Sequence, residues 1–317
     1  MSGRATAAPL RLGLIGRGAR VAALLAAINE HPGAKVAAAV LGDARGTWWG
    51  YETPERILAA PGLDAVLIAA GDDETLATRY AREALARGKP ALCLTCPTDL
   101  ATFDDLAALA AGRGVPLSLP NELRFLPATR ALRDATVRGE PGPLLGLFAA
   151  WRTRRPLRDP LRELGPPLFD FLCWCLPAGI DRAQVTVAPL FGPDRPAAAL
   201  ILRARDGVVL TVELAASLPA AYEAEDELLI EVLGEEAALR AEPFNQAVTI
   251  VEGGGAERRR VSWGRDALHP LTDGFITALR EGRDPPGSPD EVRPSLTLLA
   301  ELRAAAAVGS QPRAIRQ

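Results

Sequence analysis

The sequence predicts an α/β fold in two domains. A doubly wound parallel sheet spans residues 1–124, and an α+β domain with a large, mostly antiparallel sheet spans 125–317. Three observations carry this expectation. Short apolar runs alternate with helical patterns through the first domain. A glycine turn joins the first apolar run to the first helix. Beyond residue 140 the chain becomes a series of strand-like segments separated by turn residues.

In the first domain, LRLGLI is a short apolar run, and GRGAR leads into an alanine-rich helix over Arg20–Asn29. KVAAAVL is the second strand. DAVLIAAG (64–71) is a buried strand bounded by Gly62 and Gly71, and DETLATRYAREALARG is an amphipathic helix that stops at Gly88. ALCLTCP (91–97) is another buried strand running into a turn, followed by a helix over 101–112 and by VPLSLP. In the second domain LLGLFAAW, QVTVAPLF, AAALILRA, VVLTVELAAS, ELLIEVLG and AVTIVEG are strands, with turns at RDG (205–207) and EGGG (252–255). Two helices, PLTDGFITALREG and PSLTLLAELRAAAAVG, close the chain around the loop EGRDPPGSPDE (281–291).

Composition excludes several classes. The 317 residues carry a net charge of −3, without the basic footprint of a nucleic-acid binder. MSGRATAAPLRLGLIG lacks the apolar core and cleavage site of a signal peptide. No apolar run reaches the ~18 residues of a membrane span. The expectation is a cytoplasmic protein whose four cysteines are thiols. Arginine dominates the basic residues: the only lysines are Lys35 and Lys89, and the only histidines are His31 and His269. Proton carriers of those two types are therefore scarce. His269 is expected to play a surface role at a helix start.

The GLIGRGAR segment places Gly16, Arg17, Gly18, Ala19 and Arg20 between the first strand and the first helix. A glycine permits the tight turn, a second lets backbone approach a pyrophosphate, and the helix start offers free N–H groups. The third glycine of the G-x-G-x-x-G pattern is Val21 here. In this strand–turn–helix setting the expectation is the turn of a Rossmann dinucleotide-binding domain, the alternative being a structural glycine turn. At the end of the second strand Leu41 stands where an acidic residue would hold the adenosine ribose, with Asp43 and Arg45 just beyond. Aspartate favours NAD and arginine accommodates the 2′-phosphate of NADP, so the cofactor is NAD or NADP.

Four segments in order make the chain resemble the Gfo/Idh/MocA family of NAD(P)-dependent oxidoreductases. They are DAVLIAAGDDETLATRYAREALARGKPALCLTCP, NELRFLPA (121–128), ELGPPLFDFLCWCL (163–176) and HPLTDGFITALREGRDPP. The resemblance covers nearly the whole chain. It implies a sugar, polyol or related small-molecule substrate; the arginine run allows an anionic one, and the charge and apolar runs lead to the expectation of no nucleic acid or membrane partner. It also implies a homodimer or homotetramer. Cofactor contacts carry over to Ala70, Gly71, Thr95 and Pro97, and substrate contacts to Asn121 and Arg124. The family's lysine and histidine do not carry over. Aligning Pro97 with the glutamate-lysine-proline turn puts Thr95 and Cys96 at the first two positions; a one-residue slip puts Leu94 and Thr95 there. The histidine falls on Pro167. Asp170, Glu163 and Cys96 are the remaining candidates for catalysis. The implied activity is an oxidoreductase with an atypical site. The alternatives are a non-catalytic dinucleotide or sugar sensor, and elimination or hydrolysis in the same cleft.

Cys93 and Cys96, with Cys173 and Cys175, have spacings that paired zinc ligands use. A C-x-C on a helix turns its sulfurs about 200° apart, however, so no metal site is expected. Arg152, Arg154, Arg155, Arg158 and Arg162 form a run that suits either a solvated loop or contact with an anion.

Overall fold

Leu12, Leu14 and Ile15 of strand β1 (Leu10–Arg17) are fully buried, which places this strand inside a sheet. The computed structural model describes residues 8–18, 20–42, 48–50, 53–176, 178–189, 195–252, 254–255, 257–261, 266–308 and 313–314. Contacts divide the chain into two units, Met1–Asn121 with Arg265–Val292, and Glu122–Gly264 with Arg293–Gln317.

In the first unit β1 leads through a turn to helix α1 (Arg20–Asn29), then to β2 (Ala34–Gly42), β3 (Trp48–Gly50) and α2 (Pro54–Ala59). Strand β4 (Ala65–Ala69), α3 (Glu74–Ala86), β5 (Ala91–Cys93), α4 (Leu100–Arg113) and β6 (Leu117–Ser118) follow. The sheet order is β3-β2-β1-β4-β5-β6. All neighbours are parallel except β3, which runs antiparallel to β2 at the edge. All five residues of β4 are buried, as a central parallel strand covered on both faces requires. Side chains start the helices: Thr53 accepts from the Arg56 N–H, Asp73 from Leu76 and Asp99 from Thr102. Gly114, in the left-handed region, ends α4.

The second unit begins with a 3₁₀ turn (Glu122–Arg124), α5 (Pro127–Val137), β7 (Leu144–Thr153), α6 (Pro160–Glu163) and α7 (Gly165–Cys175). Strands β8 (Ile180–Pro189), β9 (Pro196–Ala204), β10 (Val209–Ala215), β11 (Asp226–Gly234), β12 (Ala237–Glu242), β13 (Ala247–Glu252) and β14 (Glu257–Val261) follow. With β15 (Arg313–Ala314) they form a sheet in the order β14-β13-β12-β11-β7-β10-β9-β8-β15. Every pairing is antiparallel except β7 with β10. Along β11, Leu228, Ile230 and Val232 are buried while Glu227, Leu229 and Glu231 are not, the period-two pattern of a sheet with one packed face. Helix α5 packs on β12 and β13. The parallel sheet and the mostly antiparallel sheet are those the sequence predicts.

Helix α8 (Leu268–Glu281) belongs to the first unit, where it packs on α1. Helix α9 (Pro289–Val308) starts five residues before the expected Pro294, which lies inside it. Pro289 rather than Pro294 opens the helix, at the first position, where a missing N–H costs nothing. The loop before α9 is fixed to the end of β6. Ser118 Oγ donates to the Pro286 carbonyl at 2.6 Å, and the Leu119 N–H donates to Gly287 at 2.7 Å. Gly287 has φ +72° there, and a Cβ on it would lie 2.6 Å from Pro120 Cα.

Candidate functional site

The glycine turn leaves the carboxyl end of β1 at the place where the sheet order reverses. Gly16 pairs with Leu41 of β2 on one side and Ala69 of β4 on the other. A Cβ on Gly16 would lie 2.7 Å from a Val21 methyl. Val21 thus fills the space in which a third glycine would allow close packing, and Gly16 accommodates it. Gly18 has φ +88°, and among the described residues, its chain neighbours aside, nothing lies within 4 Å of where its Cβ would be. The turn is therefore open to an approaching group and followed by a helix N-terminus that favours an anion. Arg20, exposed, is the first helical residue. Ala19, Asp43 and Arg45 lie outside the described residues.

Other cofactor candidates gather at the carboxyl ends of β4 and β5. Arg17 Nε donates to the Ala70 carbonyl at 3.0 Å, and its Nη2 to Asp73 at 2.9 Å. Thr95 Oγ1 donates to the Gly71 carbonyl at 2.6 Å, tying the turn after β5 to the turn after β4. Cys96, half-buried, donates from Sγ to the carbonyl of buried Pro97 at 3.5 Å. Glu74, at the start of α3, accepts from both the N–H and the hydroxyl of Thr98. Asp73 and Glu74 were missed as parts of this edge. The acidic run between a buried strand and a helix was their only signal, and it reads as a helix cap.

Asn121, half-buried, is the last residue of the first unit's N-terminal stretch. Arg124, Glu163 and Asp170 belong to the second unit. Arg124 and Asp170 bind each other: Nε to Oδ2 and Nη2 to Oδ1, both at 2.6 Å, with side chains 7% and 4% exposed. The Trp174 ring lies 5.7 Å from the Arg124 guanidinium and 4.6 Å from that of Arg133.

Glu163 accepts from the N–H groups of Arg158 at 2.6 Å and Asp159 at 3.0 Å, and from Arg155 Nη1 at 3.0 Å. Burial opposes its charge, but the Asp159 and Arg158 N–H groups and then Arg155 outweigh it, so its pKa is lowered. Glu163 therefore staples the β7–α7 connection. Three arginines of the run, Arg152, Arg154 and Arg155, find side-chain partners within the second unit. Arg152 is bidentate to Glu213, and Arg154 donates to the Ala220 and Tyr222 carbonyls.

Burial pushes the thiols of Cys93, Cys173 and Cys175 up to about 12. Among the described residues no group of three His, Cys, Asp or Glu is placed to hold a metal, and no helix is long and apolar enough to cross a membrane. His269 stands at a helix start, as expected, but is half-buried there rather than on the open surface. Its side chain is 15% exposed, with Nδ1 3.0 Å from Asp266 and Nε2 3.4 Å from Glu30, the residue after α1. The α8 contact with α1 covers it. Lys89 donates to the Ala60 carbonyl, and burial, then the Arg87 charge, lowers its pKa.

The chain shares its fold with solved oxidoreductases. One is the oxidoreductase from Agrobacterium radiobacter in complex with NAD⁺, L-tartaric acid and magnesium, at 17% identity and a TM-score of 0.80, covering 96% of this chain and 98% of that one. UDP-N-acetylglucosamine 3-dehydrogenase GnnA from Acidithiobacillus ferrooxidans matches at 18% identity and 0.77, covering 94% and 98%. GenD2 from gentamicin A biosynthesis, in complex with NAD, matches at 19% identity and 0.78, covering 100% and 99%. No family model and no curated protein matches the sequence. At these identities the likeness is one of fold.

Proposed function

We propose that this chain is an NAD(P)-binding oxidoreductase of the Gfo/Idh/MocA type, acting on a sugar, polyol or related small molecule, with an atypical active site. The observation that carries the reading is Gly18: a positive-φ turn between a buried strand and a helix, with no described residue, its chain neighbours aside, within 4 Å of where a side chain would begin. That cradle fits a pyrophosphate, and it stands at the switch point where open α/β sheets take their ligands. Solved proteins of the same fold in complex with NAD support the reading. Gly16, Arg17, Gly18, Ala19 and Arg20 would hold the pyrophosphate, and Ala70, Gly71, Thr95 and Pro97 would border the cofactor. Asp43 and Arg45 would select between NAD and NADP. A bound nicotinamide supplies a hydride acceptor. Asn121 and Arg124 are the proposed substrate contacts, and the protein is proposed to work in the cytoplasm as a homodimer or homotetramer.

A second reading, binding without turnover, draws support from the acids. Both oxygens of Asp170 are engaged by Arg124, and Glu163 is held by two backbone N–H groups and Arg155. A general base must be free to accept the substrate's proton. The test is NAD(P)H formation by the purified chain over a panel of sugars, polyols and hydroxy acids. The cofactor should bind, with turnover well below the ordinary ~1–10³ s⁻¹. Ordinary rates on an unmodified sugar would contradict the atypical site. Binding with no turnover would favour the sensor, and product without net cofactor change would favour non-redox chemistry.

A further inference from the structure

We propose that Arg17 and Asp73 form a latch across the dinucleotide site, in which Asp73 competes with the ligand's pyrophosphate for the Arg17 guanidinium. The proposal rests on the dinucleotide reading and adds a determinant of affinity that the glycine pattern does not contain.

Arg17 is the last residue of β1, and its backbone pairs with Gly42 of β2. Its side chain runs the other way, toward the turn after β4, where Nε meets the Ala70 carbonyl and Nη2 meets Asp73 Oδ2. The guanidinium therefore bridges the carboxyl ends of the two strands at which the sheet order reverses, next to the open turn at Gly18. These bonds use two of the five N–H donors of an arginine. The pair is accessible, with Arg17 22% and Asp73 40% exposed, so it is a weak pair that a stronger anion can replace. A pyrophosphate is such an anion, since guanidinium binds phosphate oxygens bidentately. Asp73 does not depend on Arg17 for its place. Its Oδ1 separately accepts the Leu76 N–H at 2.9 Å and caps α3. The carboxylate is thus fixed whether Arg17 pairs with it or turns to a ligand.

The experiment is calorimetric titration of NADH and NADPH into wild type, Asp73→Asn, Arg17→Gln and the double variant. Asparagine keeps the cap, and Asp73→Ser is a second cap-competent replacement; thermal melts establish folding. Asp73→Asn should tighten Kd about two- to fivefold, the scale of an exposed pair. Arg17→Gln should weaken it about tenfold, the scale of a lost hydrogen bond to a charged group. In the double variant the gain from Asp73→Asn should vanish, because it acts through Arg17. A gain that persists without Arg17 would reveal simple charge repulsion and overturn the latch. Unchanged or weaker binding in folded Asp73→Asn, with wild type binding normally, overturns the latch alone. Wild type that binds neither cofactor overturns the dinucleotide reading and the latch with it.

Discussion

Arg124 holds Asp170 by two parallel hydrogen bonds of 2.6 Å, in a site where both side chains are more than nine-tenths buried. Charges taken this far from water are tolerated only as a pair.

Removing one partner should therefore destabilise the second unit strongly. Arg124→Met leaves an uncompensated carboxylate and should cost about 3–5 kcal/mol. Adding Asp170→Leu should recover most of that loss, because the lone charge is gone. Urea unfolding of the full chain measures both. An Arg124→Met midpoint equal to that of wild type would show that the pair contributes nothing to the fold.

Glu163 gives a pH-dependent prediction. Its folded-state pKa lies below its unfolded value. Such a carboxylate stabilises the fold above the unfolded pKa of about 4.3, and the contribution disappears as pH falls through the folded value. Glu163→Gln should be less stable than wild type by about 1–2 kcal/mol at neutral pH, from lost charge-assisted hydrogen bonds. The two proteins should converge in acid. A deficit that is independent of pH would assign the loss to packing.

The parallel sheet was legible because its strands are apolar on both faces: nothing but burial explains AVLIA, the five residues of β4. The glycine turn was legible because few other roles demand that spacing after such a strand. Strand β14, ERRRV, was not, since all five residues are exposed and the pattern carries no buried face. Short, alanine-rich β12 was missed for want of a strong strand former. The return of α8 to the first unit was also hidden, because an amphipathic pattern does not name the surface it will cover. Within the candidate site, residue types were readable and pairing was not. Asp170 and Arg124 were each legible as polar residues on site-like segments. That they bind each other follows from the packing of α7 on the 3₁₀ turn, far apart in sequence.

The raised thiols predict slow alkylation. Burial pushes the thiols of Cys93 and Cys175 up to about 12, and the thiolate is the reacting species. In the native protein at neutral pH, iodoacetamide should leave these two unmodified over times that alkylate all four cysteines in urea. Peptide mass spectrometry reads each site. Rapid native labelling of Cys93 would contradict its burial at the carboxyl end of β5.

In the proposed function the turn at Gly18 receives the pyrophosphate of a nicotinamide dinucleotide. Titration calorimetry of NADH and NADPH into wild type and Gly18→Asp tests it most directly. Aspartate puts a side chain and a negative charge into the open turn. The φ of +88° makes it somewhat strained, so cooperative melting of the variant is checked first. Wild type should bind at least one of the two cofactors, and folded Gly18→Asp should lose that binding. Equal affinity in wild type and folded variant would remove Gly18 from the site and contradict the account.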